Sequence, residues 1–267
     1  MPYDLLIDLY SLAIYNVFPL SLTIFIAGST YRLFRYLRFW RRGPRPHFRN
    51  RGILGRIKGL ALTFIEPLID ALKYNKLDLV FGLTFLHVLG LIPLIFLFSH
   101  HIVFFEYIFP PYSLLWPLAI PLSPNQAYIT EAYYLRPLVR GIDTSSIWGP
   151  LTILLNADFL TVLSMAGVTF KIGDKIVKKM KGIQHIRIGD FAALILLFLI
   201  LLFGFLAAHH LPSNDVVTYR AILGTHILLA EALLAILPFT KFWHFMFGYW
   251  YGKLHEWYDL RVKRGAE

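Results

Sequence analysis

Tyr219–Tyr249, YRAILGTHILLAEALLAILPFTKFWHFMFGY, is the stretch on which the reading of this chain turns. Nearly all of it is apolar, and a helix of that length crosses a hydrocarbon core of about 30 Å. It carries His226 and His244, eighteen residues apart. Eighteen residues make five turns at about 3.6 per turn. The spacing therefore predicts both imidazoles on one face of one helix, about 27 Å apart along its axis. One then lies toward each side of the membrane. Two ligands, one per leaflet, is simpler than a single ligand spanning the bilayer. A histidine inside a membrane span is expensive and a functional candidate by default, and a neutral imidazole is a good axial ligand for haem iron. The plainer reading is two histidines hydrogen-bonded to neighbouring helices.

Composition places the whole chain in the same setting. Of its 267 residues 57% are hydrophobic and only 16% charged, and the mean hydropathy is +0.58. Soluble domains carry about 25% charged residues, so this is an integral membrane protein. There is no Cys. Disulfides, thiolate-held iron–sulfur clusters and covalent c-type haem are thereby excluded within this chain. The net charge of +10 would suggest nucleic acid in a soluble protein. Its distribution beside apolar spans argues against nucleic acid and for membrane orientation.

Outward from the decisive stretch, taken as a span of residues 217–247, the tail from Lys253 is charged. Before it, residues 188–208 form a fourth span ending at His209–His210. The run KIGDKIVKKMKGIQHIR carries six basic residues against one acid. It follows a third span at 147–170, with Asn156 and Asp158 inside it. Residues 105–147, rich in Pro and Tyr, read as a long ordered external loop, which at that length is usually functional. A second span covers 79–104, with His87 inside, His100 and His101 near its far end, and Pro93 as the expected kink. Residues 57–75 are apolar but broken by Glu66, Pro67 and Asp70. They suit a cytoplasmic interfacial amphipathic helix or a docking segment, with a short re-entrant piece as the alternative. Residues 32–58 hold ten Lys or Arg and no acid. The first span, 12–33, is preceded by Asp4 and Asp8 rather than a basic region, so it reads as a retained helix.

Counting Lys and Arg by side orients the bundle. With the N-terminus outside, Arg136, Arg140 and Arg220 face out and the other 23 of 26 face in. The expectation is an all-α, multi-pass bundle of five transmembrane helices in the cell membrane, forming one domain over 1–267 with the C-terminus cytoplasmic.

Placed by depth, His87 and His244 belong to the inner half. His100, His101, His209, His210 and His226 belong to the outer half. Spans two and five run in opposite directions, so His87 meets His244, and His100 or His101 meets His226. Facing helices that clamp a porphyrin between two histidines need this arrangement. His47, His185 and His255 fall in basic loops or the tail, as solvated positions.

HILLAEALLAILPFTKFWH resembles the last helix of the cytochrome b (gamma) subunit of membrane-bound respiratory nitrate reductases, in its eighteen-residue histidine interval and in the LPFTK before the second histidine. The relatives in heterodisulfide reductase and sulfite-reductase-associated membrane complexes share it. NVFPLSLTIFIAGSTYRLFRY resembles the family's opening more weakly. The resemblance implies five spans, an external N-terminus and two b haems. It implies oxidation of a quinol, menaquinol in the reading taken here, near the outer face, with electrons passed to a cytoplasmic iron–sulfur partner. His226 and His244 carry over as axial ligands, and His87 as the partner of His244. For the fourth ligand, Ser99 before His100 imitates the family's small residue, whereas helical phase favours His101, fourteen residues from His87 and about 40° off its face. Here the sequence departs from the family by about one turn, which leaves room for a single-haem variant. The long stretch between spans one and two also departs from the nitrate reductase pattern, and tilts the resemblance toward the other two branches.

Several polar groups remain. Glu231, Asn156 and Asp158 are either structural glue for one another or a proton path. Arg220 lies within reach of a haem propionate, or is an interface anchor. Glu106 and the histidines not used as ligands are candidate acceptors of quinol protons. The rival class is a five-span transporter or scaffold with structural or metal-binding histidines. No H-x-x-x-H, G-x-S-x-G or phosphate-loop motif points to a membrane hydrolase.

Overall fold

The computed structural model describes residues 9–42, 53–120, 154–182 and 187–243. Every regular element among them is helical. In chain order these are a π-helical turn Leu12–Val17, α1 (Phe18–Arg42), α2 (Ile53–Tyr74), a π-helix Asp78–Leu91, α3 (Ile92–Leu97) and α4 (Ser99–Ile108). A 3₁₀ turn Pro110–Leu115, α5 (Trp116–Ala119), α6 (Ala157–Met180), α7 (Ile188–Ala208), α8 (Val216–Ile236) and a final 3₁₀ turn Leu237–Phe239 follow. In lipid the backbone can satisfy its polar groups only internally, so apolar runs of this length fold as helices.

Four stretches are long and apolar enough to cross a membrane: Leu9–Arg38, Asp78–Leu97, Ile188–Ala208 and Val216–Phe239. Large apolar side chains such as Ile26, Phe34, Val88 and Ile195 are exposed along them, as a lipid-facing surface requires. The fourth expected span, 188–208, matches α7 end to end, with the carboxylate of Asp190 accepting from the backbone N–H of Arg187 at its start.

The third expected span is displaced. The backbone of Asn156 is extended (ψ 138°), and its side chain caps α6 by accepting from the N–H of Asp158. The helix α6 therefore begins at Ala157, while residues 147–153 of the expected span lie outside the described residues, and it continues ten residues past Phe170, through Lys171, Asp174 and Lys175 to Met180. Asn156 and Asp158 mark its start rather than its interior. Those charges also keep α6 out of the four apolar candidates.

The second expected span, 79–104, is not one helix. Gly90 leaves helical geometry (φ −119°, ψ −107°) inside the π-helix, and Phe98 is extended (ψ 135°) between α3 and α4. Pro93 is not the break: it sits in the first turn of α3, where its missing N–H is tolerated. The decisive stretch is broken as well. α8 ends at Ile236, Pro238 lies in the 3₁₀ turn, and Thr240 is extended (φ −107°, ψ 175°). The continuous five-turn helix from His226 to His244 is therefore interrupted, and His244 itself lies outside the described residues. The segment expected at 57–75 belongs to α2, an uninterrupted helix of 22 residues despite Pro67.

The described chain has two compact units. One holds the residues up to Asn16 with Leu77–Ala230, and the other holds Val17–Lys76 with the residues from Glu231. In the first, α6 packs chiefly along the π-helix and then along α7. Leu160, Thr161, Ser164, Gly167 and Val168 form its buried stripe. A Cβ on Gly167 would stand 2.7 Å from the Phe81 carbonyl oxygen and 2.9 Å from the Leu86 nitrogen. Small residues thus let two backbones approach, the usual way helices associate in lipid. Phe81 stacks on Phe170 at 4.8 Å, and Lys171 pairs with Asp78 at one end of this seam. In the second unit Gly28 lies against Pro238 and Phe239, and the Arg32 guanidinium sits 5.5 Å from the centre of the Trp243 ring.

Candidate functional site

The break at Phe98 builds the first half of the site. It starts a new helix, α4, and puts His100 and His101 in its first turn. It also leaves the last carbonyls of α3 without helical successors, and side chains take them up. The His101 Nδ1–H donates to the Ile95 carbonyl, and the Tyr112 hydroxyl donates to that of Phe96 at 2.8 Å. Phe98 stacks nearly parallel on His100, at 5.4 Å. His100 makes no hydrogen bond among the described residues, while the orientation of His101 is fixed by its carbonyl partner.

The second half comes from α7 and α8. The His226 Nδ1 lies 3.0 Å from the Ile200 carbonyl oxygen on α7. A carbonyl only accepts, so Nδ1 carries the proton and the neutral ring turns an Nε2 lone pair away from the bond. Metal-bound histidines are commonly oriented in this way. Gly204 makes the approach possible, because a Cβ there would stand 2.9 Å from the His226 Cε1.

These halves meet. The ring centres of His100 and His226 are 6.4 Å apart, with planes inclined at 64°. Two imidazoles that held one metal ion between them would stand about 6.3 Å apart, from bonds of about 2.0–2.1 Å and about 1.1 Å from each nitrogen to its ring centre. Beside the pair is a mostly apolar pocket of about 710 Å³, lined by His100, His101, His226, His210, Asp158 and Trp116 among others. This volume lies within the range of about 300–1,000 Å³ usual for small-molecule and cofactor sites. The donor set of imidazoles in mostly apolar walls fits a non-covalently held haem.

The pocket's rim was less visible from sequence. His210, in a left-handed conformation (φ 51°), stacks on Tyr219 at 4.4 Å. His209 Nε2 lies 3.1 Å from an Asp158 carboxylate oxygen. Asn156 donates to the Ile120 carbonyl at 2.7 Å. Asn156 and Asp158 thus hold one another through the Asp158 N–H, as expected, and each has a further partner of its own. Glu231 is 3% exposed, and its carboxylate has no hydrogen-bond partner among the described residues.

The remaining sequence candidates fall elsewhere. Glu106 is not among the lining residues; its carboxylate accepts from the Trp116 indole N–H at 3.1 Å, one side chain behind the wall. The Arg220 guanidinium lies 5.6 Å from the centre of the Tyr10 ring, a cation–π arrangement, and does not line the pocket. His87 sits in the π-helix, and its Nδ1–H donates to the Gly82 carbonyl at 2.6 Å. Among the described residues no group of three or more His, Cys, Asp or Glu converges as a metal-ion cage. No protein-family model, curated protein or solved structure matches the chain.

Proposed function

We propose that this chain is a membrane cytochrome b subunit that oxidises a quinol near the outer face and passes the electrons toward a cytoplasmic iron–sulfur partner. The observation that carries the reading is the His100–His226 pair, 6.4 Å between ring centres, opening onto the 710 Å³ pocket. Its geometry favours His100 over His101 as the partner of His226, because it is the His100 ring that stands 6.4 Å from the His226 ring. A haem bound there supplies one-electron chemistry, and the protein supplies ligands, spacing and a dry surround. The Ile200 carbonyl holds the His226 tautomer, and Phe98 holds the His100 plane. His87 and His244 are proposed to hold a second, inner haem. The wider proposal is five spans in the cell membrane, an external N-terminus, and a partner docking beside α2 and the charged tail. α6 is the fifth span, with its basic C-terminal half toward the cytoplasm.

The test is anaerobic, haem-replete expression followed by single substitutions. The wild type should be red, with a Soret band and a reduced alpha band. His226→Ala and His100→Ala should each remove the outer haem and leave the inner one, while His244→Ala does the converse. A protein that binds no haem under these conditions refutes the electron-transfer reading and leaves a transporter or scaffold.

A further inference from the structure

The geometry points to Asp158, backed by His209, as the acceptor of the proton that leaves the quinol. This inference rests on the electron-transfer reading proposed above and names the proton chemistry of the same pocket.

Asp158 is the acid that lines the pocket, whereas Glu106 is engaged behind Trp116, whose indole N–H donates only and relays no proton. The two partners of the dyad come from opposite kinds of helix end. Asp158 lies in the first turn of α6, where the helix dipole favours a carboxylate. His209 is the C-cap of α7, where the dipole favours an imidazolium. The pair, 3.1 Å apart with side chains 13% and 12% exposed, therefore joins the pocket wall to the end of α7, and a proton taken up on Asp158 has His209 as its next base. Phe205 covers the His209 ring at 4.2 Å. The other titratable groups on the pocket are His100, His101, His226, His210 and Tyr219. Two of those imidazoles are committed through Nδ1 to carbonyls, and His210 is stacked on Tyr219. Beyond His209 the chain enters an exposed link at Leu211, Asn214 and Asp215, a short route to water.

The step balances as follows. A quinol hydroxyl O–H breaks with its proton going to the Asp158 carboxylate, and from there to His209 and water. Both hydroxyls give up a proton in turn, and the two electrons would be taken one at a time by a haem held by His100 and His226, as oxidant, and passed on to the iron–sulfur partner proposed above. The quinol is oxidised to quinone.

The experiment uses the full chain, haem-loaded, in lipid nanodiscs, with menadiol as reductant. Asp158→Asn should slow haem reduction by menadiol about a hundredfold, the lower end of what a positioned proton acceptor supplies. Haem content and reduction by dithionite should not change. Asp158→Glu should restore most of the rate. His209→Gln, which keeps the carboxylate, should flatten the pH profile of the rate. A second readout is equilibrium binding of menadione, followed by quenching of the fluorescence that Trp116→Phe removes; binding to Asp158→Asn should stay within about threefold. An Asp158→Asn protein with the wild-type rate and pH profile overturns the assignment. So does menadione binding that falls in step with the rate, because Asp158 then only positions the ligand. A haem-loaded wild type that menadiol does not reduce overturns the quinol reading itself, and the proton assignment with it.

Discussion

Gly204→Ala should leave the fold's stability nearly unchanged and still disturb the outer haem proposed above. The added Cβ would stand 2.9 Å from the His226 Cε1 and 3.1 Å from its Nδ1, whereas ordinary contact begins at 3.4 Å. The ring must withdraw by about 0.5 Å, the difference between 2.9 and 3.4 Å. That motion stretches the 3.0 Å hydrogen bond to the Ile200 carbonyl toward the limit at which it ceases to be one. Inside a membrane such a bond is worth about 0.6 kcal/mol on average. Replacing Gly by Ala within a helix gains about 0.8–1.0 kcal/mol. The two effects cancel to within about 0.5 kcal/mol, so thermal unfolding should hardly move. The ligand geometry has no such compensation. Haem content should fall, or the outer haem's reduced alpha band should shift, while the inner haem keeps its spectrum. Gly173→Ala is the control, since nothing lies within 4 Å of its Cβ position; it should gain stability and leave both haems alone. A Gly204→Ala protein with wild-type haem content and an unshifted spectrum would refute the placement of His226 against α7.

Other outcomes follow from the same structure. Asn125→Cys should react with a membrane-impermeant maleimide added outside, and Asn50→Cys should not; the reverse pattern refutes the proposed orientation. Gly167→Val should destabilise the seam between α6 and the π-helix by about 1–3 kcal/mol, because the added carbons meet the backbone of Phe81 and Leu86, which cannot swing aside. Thermal unfolding in detergent measures it, and an unchanged midpoint would count against this packing. Asp215 caps α8, accepting from the Thr218 N–H at 2.8 Å, and its bonds to Ser213 and Thr218 hold its carboxyl down at about 2, below the ordinary 3.8. A depressed carboxyl stabilises the folded state above its unfolded value and loses that stabilisation as the pH falls toward its folded one. Asp215→Ala should therefore lower stability at neutral pH and remove the part of the acid sensitivity between about pH 4 and 2, whereas Asp215→Asn keeps the cap and removes only the titration.

Membrane class and helical architecture were legible in the residues themselves, because composition decides both. With 16% charged residues and long apolar runs, helices are the one economical solution in lipid. α7 could be read to its end residues, since a uniform run from Ile188 to Ala208 is bounded by Arg187 with Asp190 on one side and two histidines on the other. The nearness of His100, His101 and His226 also followed from spacing and antiparallel order, and all three line one pocket.

What required tertiary structure was where helices stop and which way rings point. Counting at 100° per residue assumes an unbroken helix, and the chain breaks at Gly90, Phe98 and Thr240. Gly90 is accommodated by contacts from other turns, with Ser164 of α6 packed where its side chain would be. No local preference in LIFLFSHHIV marks Phe98 as a break. Phase alone could therefore not rank His100 and His101; only the fold shows the His100 ring 6.4 Å from that of His226 and the His101 ring bonded to the Ile95 carbonyl that the break frees. Nor could a sequence order pair Asp158 with His209, 51 residues apart, because that contact exists only where the start of α6 meets the end of α7. Residue types decided which chemistry the chain can hold, and long-range packing decided which atoms face one another to carry it out.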